Sequence, residues 1–132
     1  MEQRPGPQIN AQSEAYWQSV TQHAMVLQRC ERCSTFRFYP TPVCPKCWFT
    51  GFSWEQVSGE GELYSFTIVH KPVNDAFAGN APYVIALVTL AEGPTMMMNL
   101  EDVDLEALQI GMPLKLGYLD FEGFTLPVAR PV

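Results

Sequence analysis

At 132 residues the chain has the length of one ordinary domain, and with 47% hydrophobic and 17% charged residues it can bury a core and need not be disordered. Eleven prolines and nine glycines favour short elements joined by turns over long helices. The net charge of −6 is unevenly placed: residues 29–47 carry +3 (Arg29, Arg32, Arg37 and Lys46 against Glu31), whereas residues 48–132 carry −8 (eleven carboxylates against Lys71, Lys115 and Arg130), a balance that opposes binding to phosphate backbones.

Residues 1–12 read as a loose arm rich in Pro, Gly and Gln, without the basic and apolar regions of a signal peptide. No apolar run approaches the roughly 20 residues that span a bilayer, so a soluble, cytoplasmic chain with reduced thiols is expected. Ser13 is placed to cap a short helix through about Gln22, with Glu14 at its positive end. Tyr16, Trp17 and Val20 then share one helical face. Docking on the chain's own core is the favoured reading of that face; docking on another protein, through Tyr16 and Trp17, is the alternative. Met25–Gln28 reads as a short strand. Residues 1–28 thus form an N-terminal arm and helix.

Residues 29–52 are read as a ribbon built on Cys30-Glu31-Arg32-Cys33 and Cys44-Pro45-Lys46-Cys47. Each CxxC pair makes a tight turn that aims two sulfurs at one point, and two such pairs make a tetrahedral tetrathiolate site of the kind that holds structural zinc. Iron in a rubredoxin-like site is the competing metal. Two disulfides fit a reduced compartment poorly, and a redox CxxC is normally a single pair. Four thiolates around a divalent cation leave two negative charges, which the local arginines and Lys46 can offset without invoking a nucleic acid. Phe36, Phe38, Tyr39, Pro40 and Pro42 suggest an aromatic hairpin between the turns. Ribbon turns often carry Gly after the second cysteine; Ser34 and Trp48 occupy those positions, which predicts less regular turns.

Residues 53–132 read as five short strands. Gly61–His70 is rich in aromatic and β-branched residues, with Tyr64, Phe66 and Ile68 on one face and Ser65 and Thr67 on the other. Residues 71–82 form a long loop. Tyr83–Ala91 is apolar on both faces, as in a buried central strand. Thr95–Leu100, Leu114–Leu119 and Phe124–Val128 complete the set, with a helical turn near 104–108. Five strands with a helical insertion fit an oligonucleotide/oligosaccharide-binding (OB) barrel, with a small sandwich as the alternative. The fold class is therefore mainly β: an N-terminal helix, a rubredoxin-like zinc ribbon and a five-stranded OB-fold barrel.

No catalytic set is evident. All four cysteines fit the metal site, the only histidines are His23 and His70, and no GxSxG motif is present. His70, at a strand end, reads as structural. A closed tetrathiolate leaves no coordination position for a reactive water. Phe77, within the 71–82 loop, and Tyr83 are the surface candidates: either Phe77 simply tucks onto the barrel, or the two border a binding groove.

The motif series LQRCERC, PTPVCPKC, GEGELYSFTIVH, APYVIALVTLAEGP, IGMPLKL and LPVARPV resembles the acyl-CoA-associated zinc-ribbon/OB-fold proteins, long catalogued as a domain of unknown function. The resemblance runs from about Tyr16 to the end, and YSFTIVH with APYVIALV makes it far more specific than the cysteine pairs alone. It implies an accessory subunit rather than a lone enzyme. Such proteins pair with thiolase-like acyltransferases, with hydratase-like acyl-CoA enzymes, or with a thiolase-like aldolase that cleaves a β-hydroxyacyl-CoA of a steroid side chain by a retro-aldol reaction. The expected partner is a thiolase-like enzyme in a heterotetramer with two copies of each chain, with possible contact to acyl-CoA and no membrane. A single-stranded nucleic-acid-binding module is the alternative from another class, and the acidic barrel argues against it.

Overall fold

The computed structural model describes residues 6–70 and 82–132; Phe77 lies outside them. Among the described residues one α-helix, α1 (Glu14–Thr21), precedes eight strands: β1 (Val26–Cys30), β2 (Phe36–Arg37), β3 (Phe52–Gln56), β4 (Glu60–Val69), β5 (Tyr83–Leu90), β6 (Thr95–Leu100), β7 (Pro113–Phe121) and β8 (Phe124–Pro131). Ser13 occupies the N-cap of α1 but makes no side-chain capping bond. Its Oγ instead accepts the Asn10 N–H (3.1 Å), and Asn10 Oδ1 accepts the Ser13 N–H (2.9 Å), so the arm itself is pinned to the helix start.

The strands form two units. β1 lies between β2 and β3 in an antiparallel three-stranded sheet. The expected aromatic hairpin between the cysteine turns reduces to β2, two residues that pair with β1 rather than with each other's neighbours. β3 straddles residues 52 and 53 and pairs with β1 from Val26 to Cys30. The remaining strands close a barrel in the order β4-β5-β6-β8-β7, with β7 returning to β4. The single parallel pairing, β6 with β8, is what allows the fifth strand to sit between the third and the fourth, and this is the OB arrangement. A 3-10 turn at Leu105–Ala107, capped by Asp104 accepting the Glu106 N–H, fills the connection between β6 and β7.

Alternation explains most of the barrel core. Val84, Ala86, Val88 and Leu90 point inward from β5, and Met96, Met98 and Leu100 from β6. β5 is central, as expected, but it is not buried on both faces: Ile85 and Leu87 point outward and are half-buried. In β4 the expected face is broken. The register shifts between Leu63 and Ser65, so Leu63, Phe66 and Ile68 pack inward while Tyr64 stands 63% exposed. A β-bulge adds one residue to the strand and moves every following side chain by one position, which the simple period of two does not anticipate.

Helix, ribbon and barrel share one core. Tyr16 and Val20 of α1 and Leu27 of β1, with Met25 and Val57 beside them, belong to the same buried cluster as Leu63, Met96 and Leu114. Ser19 anchors the junction: its Oγ donates to the Tyr16 carbonyl (2.6 Å) and accepts the Val26 N–H (3.0 Å). The Tyr118 hydroxyl of β7 accepts the Met25 N–H (2.9 Å), and burial raises that phenol's pKa. The amphipathic helix face therefore docks on the chain's own core.

Candidate metal centre

The chain enters the first turn from β1 at Cys30 and the second from an irregular segment at Cys44. Both turns use the same bonds. The Ser34 N–H donates to the Cys30 carbonyl (3.0 Å) and the Trp48 N–H to the Cys44 carbonyl (2.9 Å). The Cys30 N–H donates to the Thr35 carbonyl (3.0 Å) and the Cys44 N–H to the Phe49 carbonyl (2.9 Å). The two turns are thus regular, against expectation, because Ser34 (φ 62°) and Trp48 (φ 68°) adopt the left-handed backbone that glycine usually supplies. Trp48 does so with its side chain 79% exposed.

The turns bring all four sulfurs within 4.8 Å of one another. Cys30 and Cys47 Sγ are 3.5 Å apart and Cys33 and Cys44 Sγ 3.7 Å apart. A zinc tetrathiolate with bonds of about 2.3 Å has sulfur–sulfur edges of about 3.8 Å, so the spacing fits one tetrahedral ion. It is far too wide for a disulfide, whose sulfurs lie about 2.05 Å apart. Cys30 and Cys44 are buried, whereas Cys33 and Cys47 are half-buried at the surface of the cluster.

The thiols respond unequally to this crowding. The Thr35 hydroxyl, 3.2 Å from Cys33 Sγ, together with the Thr35 backbone N–H, brings the Cys33 thiol down to about 6. Backbone N–H groups of Cys47 and Lys46 lower Cys44. At Cys47 the Phe49 N–H pulls downward, but burial and the other three sulfurs outweigh it and push the thiol up to about 11. Four thiolates held this close repel one another. A divalent cation supplies the charge that offsets this repulsion, and the donor set fits a structural zinc.

The basic residues frame this centre. Arg32, inside the first turn, lies over the Phe49 ring just past the second (4.6 Å). Arg29 Nε donates to the Ser34 carbonyl (3.2 Å), and its Nη1 meets Glu55 Oε1 at 3.3 Å. Arg37 is 4% exposed and holds the segment before Cys44: its Nη2 donates to the Thr41 carbonyl (2.9 Å), its Nε donates to Gln28 Oε1 (2.9 Å), and that oxygen also accepts the Thr41 N–H (2.8 Å). Sequence reasoning counted Arg37 as one of four interchangeable cations and missed its burial, because no pattern marks a charged residue as internal.

The other candidate residues do not converge. Tyr16 is 2% exposed, packed edge-on against Trp17 and beside Phe38, so its ring is not offered to a partner. Trp17 is half-buried and lines an open groove of about 530 Å³ with Ile9, Asn10 and Glu14. Tyr83, also half-buried, borders a different hollow of about 190 Å³ with Leu100, Asp102 and Leu105. His70 is exposed just past β4. His23 was not singled out for a role. Its ring stacks on Tyr118 (4.7 Å), and its Nε2 sits 3.0 Å from both Asp120 oxygens, joining the end of α1 to β7. Among the described residues no helix is long and apolar enough to cross a membrane.

A three-stranded ribbon with a four-cysteine site, followed by a closed five-stranded barrel of OB order, defines a zinc-ribbon/OB-fold protein. The family comparison is more specific: residues 17–52 match the ChsH2 rubredoxin-like zinc ribbon domain and residues 54–119 the ChsH2 C-terminal OB-fold domain. The chain belongs to this family of acyl-CoA-associated zinc-ribbon/OB-fold proteins. It is 40% identical over 131 residues to a Thermomonospora curvata protein described as a probable enoyl-CoA hydratase alpha subunit, covering 97% of this chain and 40% of that one. It is 34% identical over 101 residues to a DUF35 domain-containing scaffold protein of Methanocaldococcus jannaschii, covering 75% and 71% respectively. A solved structure described as an Ltp2-ChsH2(DUF35) aldolase superposes with a TM-score of 0.85 at 37% identity, covering 95% of this chain and 98% of that chain. The chain thus spans about two fifths of the hydratase subunit but nearly all of the matched aldolase chain.

Proposed function

We propose that the chain is a non-catalytic accessory and scaffolding subunit of a thiolase-like acyl-CoA enzyme. The observation that carries this reading is the near end-to-end likeness, in sequence and fold, to the chain of the Ltp2-ChsH2(DUF35) aldolase. The relatives described as a scaffold protein and a hydratase alpha subunit support an accessory role beside an enzyme of acyl-CoA substrates. In this reading the partner performs the chemistry, either acyl transfer and condensation or retro-aldol cleavage of a β-hydroxyacyl-CoA such as a steroid side chain. Cys30, Cys33, Cys44 and Cys47 hold zinc and fix the ribbon's shape. Trp17 and Tyr83, with Phe77, border the partner or the acyl-CoA channel, while Tyr16 supports Trp17 from the core side. The assembly contains two copies of each chain and works in the cytoplasm, where four reduced thiols persist.

The test is co-purification of the tagged chain from its own host at moderate salt, with mass spectrometry of what accompanies it. A thiolase-like or related acyl-CoA enzyme in near-equal amount is expected, together with turnover of acyl-CoA thioesters by the complex and none by the pure chain. Ribosomal or single-strand-binding components released by nuclease would overturn the reading, as would robust turnover by the pure chain.

A further inference from the structure

Among the described residues, the buried cation Arg37 has no carboxylate partner. The residue is 4% exposed; among the described residues its Nε and Nη2 meet only neutral oxygens, and its Nη1 is buried with no hydrogen-bond partner. Burying an unpaired charge is among the costliest arrangements a fold can contain. The other cations of the ribbon avoid that cost: Arg29 meets Glu55, and Arg32 and Lys46 are exposed to water. No outside anion can reach Nη1, since the atom has no contact with solvent. The group that offsets this charge is therefore to be sought inside the protein.

The strand register indicates where. Gln28 and Cys30 are two residues apart on β1 and share a face. Arg37 is the direct partner of Gln28 across the β1–β2 pairing, and Phe52 is the direct partner of Cys30 across the β1–β3 pairing. Arg37 therefore stands on the Cys30 face, one row away. Its guanidinium carbon lies 5.0 Å from the centre of the Phe52 ring, which places the charge over the row that holds Cys30. The aromatic face stabilises it in part. The anionic centre on that face is the four-sulfur cluster, which carries two negative charges when zinc is bound.

We propose that Arg37 is the internal counter-cation of the tetrathiolate: it strengthens zinc binding through its charge, and the loaded site in turn offsets the cost of its burial. In a poorly solvated interior such an interaction is weakly screened, unlike one from the exposed Arg32 or Lys46. The role concerns the metal and stands whether or not the chain serves an acyl-CoA enzyme.

The experiment compares the full chain with Arg37→Met, Arg37→Gln and Arg37→Lys. Zinc affinity is measured by competition with a chromophoric chelator at fixed pH and salt, and the reduction potential is measured on the iron-loaded protein. Folding with zinc present is checked by circular dichroism. The expected result is at least tenfold weaker zinc binding in the Met and Gln variants and a change of no more than about threefold in the Lys variant, which keeps the charge. The potential should fall in Met and Gln, because loss of a nearby positive charge disfavours the more negative ferrous site; a purely structural role would not move it in this charge-dependent way. Folded Met or Gln variants with wild-type affinity and potential would show that the charge of Arg37 does not act on the metal and would overturn the proposal. So would failure of both variants to fold at saturating zinc, which would make the residue's role purely structural.

Discussion

Ser34 and Trp48 hold a left-handed backbone that costs an L-residue about 1–2 kcal/mol. Glycine removes that cost but returns part of it through the greater freedom of the unfolded chain, about 0.4–1 kcal/mol. Ser34→Gly and Trp48→Gly are each expected to stabilise the zinc-loaded protein by about 0.5–1 kcal/mol. Trp48 gives up little packing, being largely exposed, so its substitution is the cleaner case. Thermal unfolding with saturating zinc measures this; a midpoint that falls for Trp48→Gly would mean that the indole packs on the turn after all. The positions were legible, since a ribbon turn asks for glycine after its second cysteine. That the turn keeps its shape without glycine was not, because hydrogen bonds from both turn backbones decide it.

At the scale of elements, α1 is held by its buried face and by the clamp at its end. Val20 is completely buried beneath the helix, so Val20→Ala is expected to cost about 1–3 kcal/mol through lost burial and a residual cavity. Urea unfolding with an unchanged slope is the measurement; a loss below about 0.5 kcal/mol would mean that the helix contributes little to the shared core. The clamp gives a pH signature. The Thr125 hydroxyl, 2.6 Å away, and then His23 hold the Asp120 carboxyl below its ordinary value. A carboxyl with a depressed folded pKa binds fewer protons when folded than when unfolded. Its contribution is therefore present above the ordinary carboxylate pKa and is lost as the pH falls through the folded value. Asp120→Asn should lower the thermal midpoint at pH 6 more than at pH 3, so the two proteins converge in acid. An equal loss at both pH values would sink the assignment. His23 and Asp120 lie 97 positions apart, and only closure of the barrel against α1 makes them neighbours.

For the molecule as a whole, the ribbon and the barrel have different supports. The barrel strands close on themselves through hydrogen-bonded pairings from β4 round to β7. The ribbon has β1 with its two short partners, a few side-chain hydrogen bonds from Arg29, Arg37 and Gln28, and the metal site to hold its turns. Cys30→Ser and Cys44→Ser should each lose metal stoichiometry and lower the unfolding midpoint. Chelation of the wild-type protein should raise hydrogen exchange in residues 29–51 while much of the β4–β8 ring stays protected. Full metal content in either serine variant would contradict the ligand assignment. Uniform loss of protection on chelation would show that metal and barrel form a single cooperative unit, joined through the core that Met25, Leu27 and Val57 share with the barrel.

The sequence by itself determined the metal centre, the helix, the number of barrel strands and the family. Each of these is written locally, in the cysteine spacing, in the short runs of alternating or helical periodicity, and in contiguous motifs. Tertiary structure alone decided four things: that β2 and β3 flank β1, that a bulge turns Tyr64 outward, that His23 meets Asp120, and that Arg37 is buried against Gln28 and Phe52. These depend on register and on contacts between distant residues. A local pattern carries no record of them, because a bulge or a buried charge becomes favourable only when its partners from elsewhere in the chain are in place.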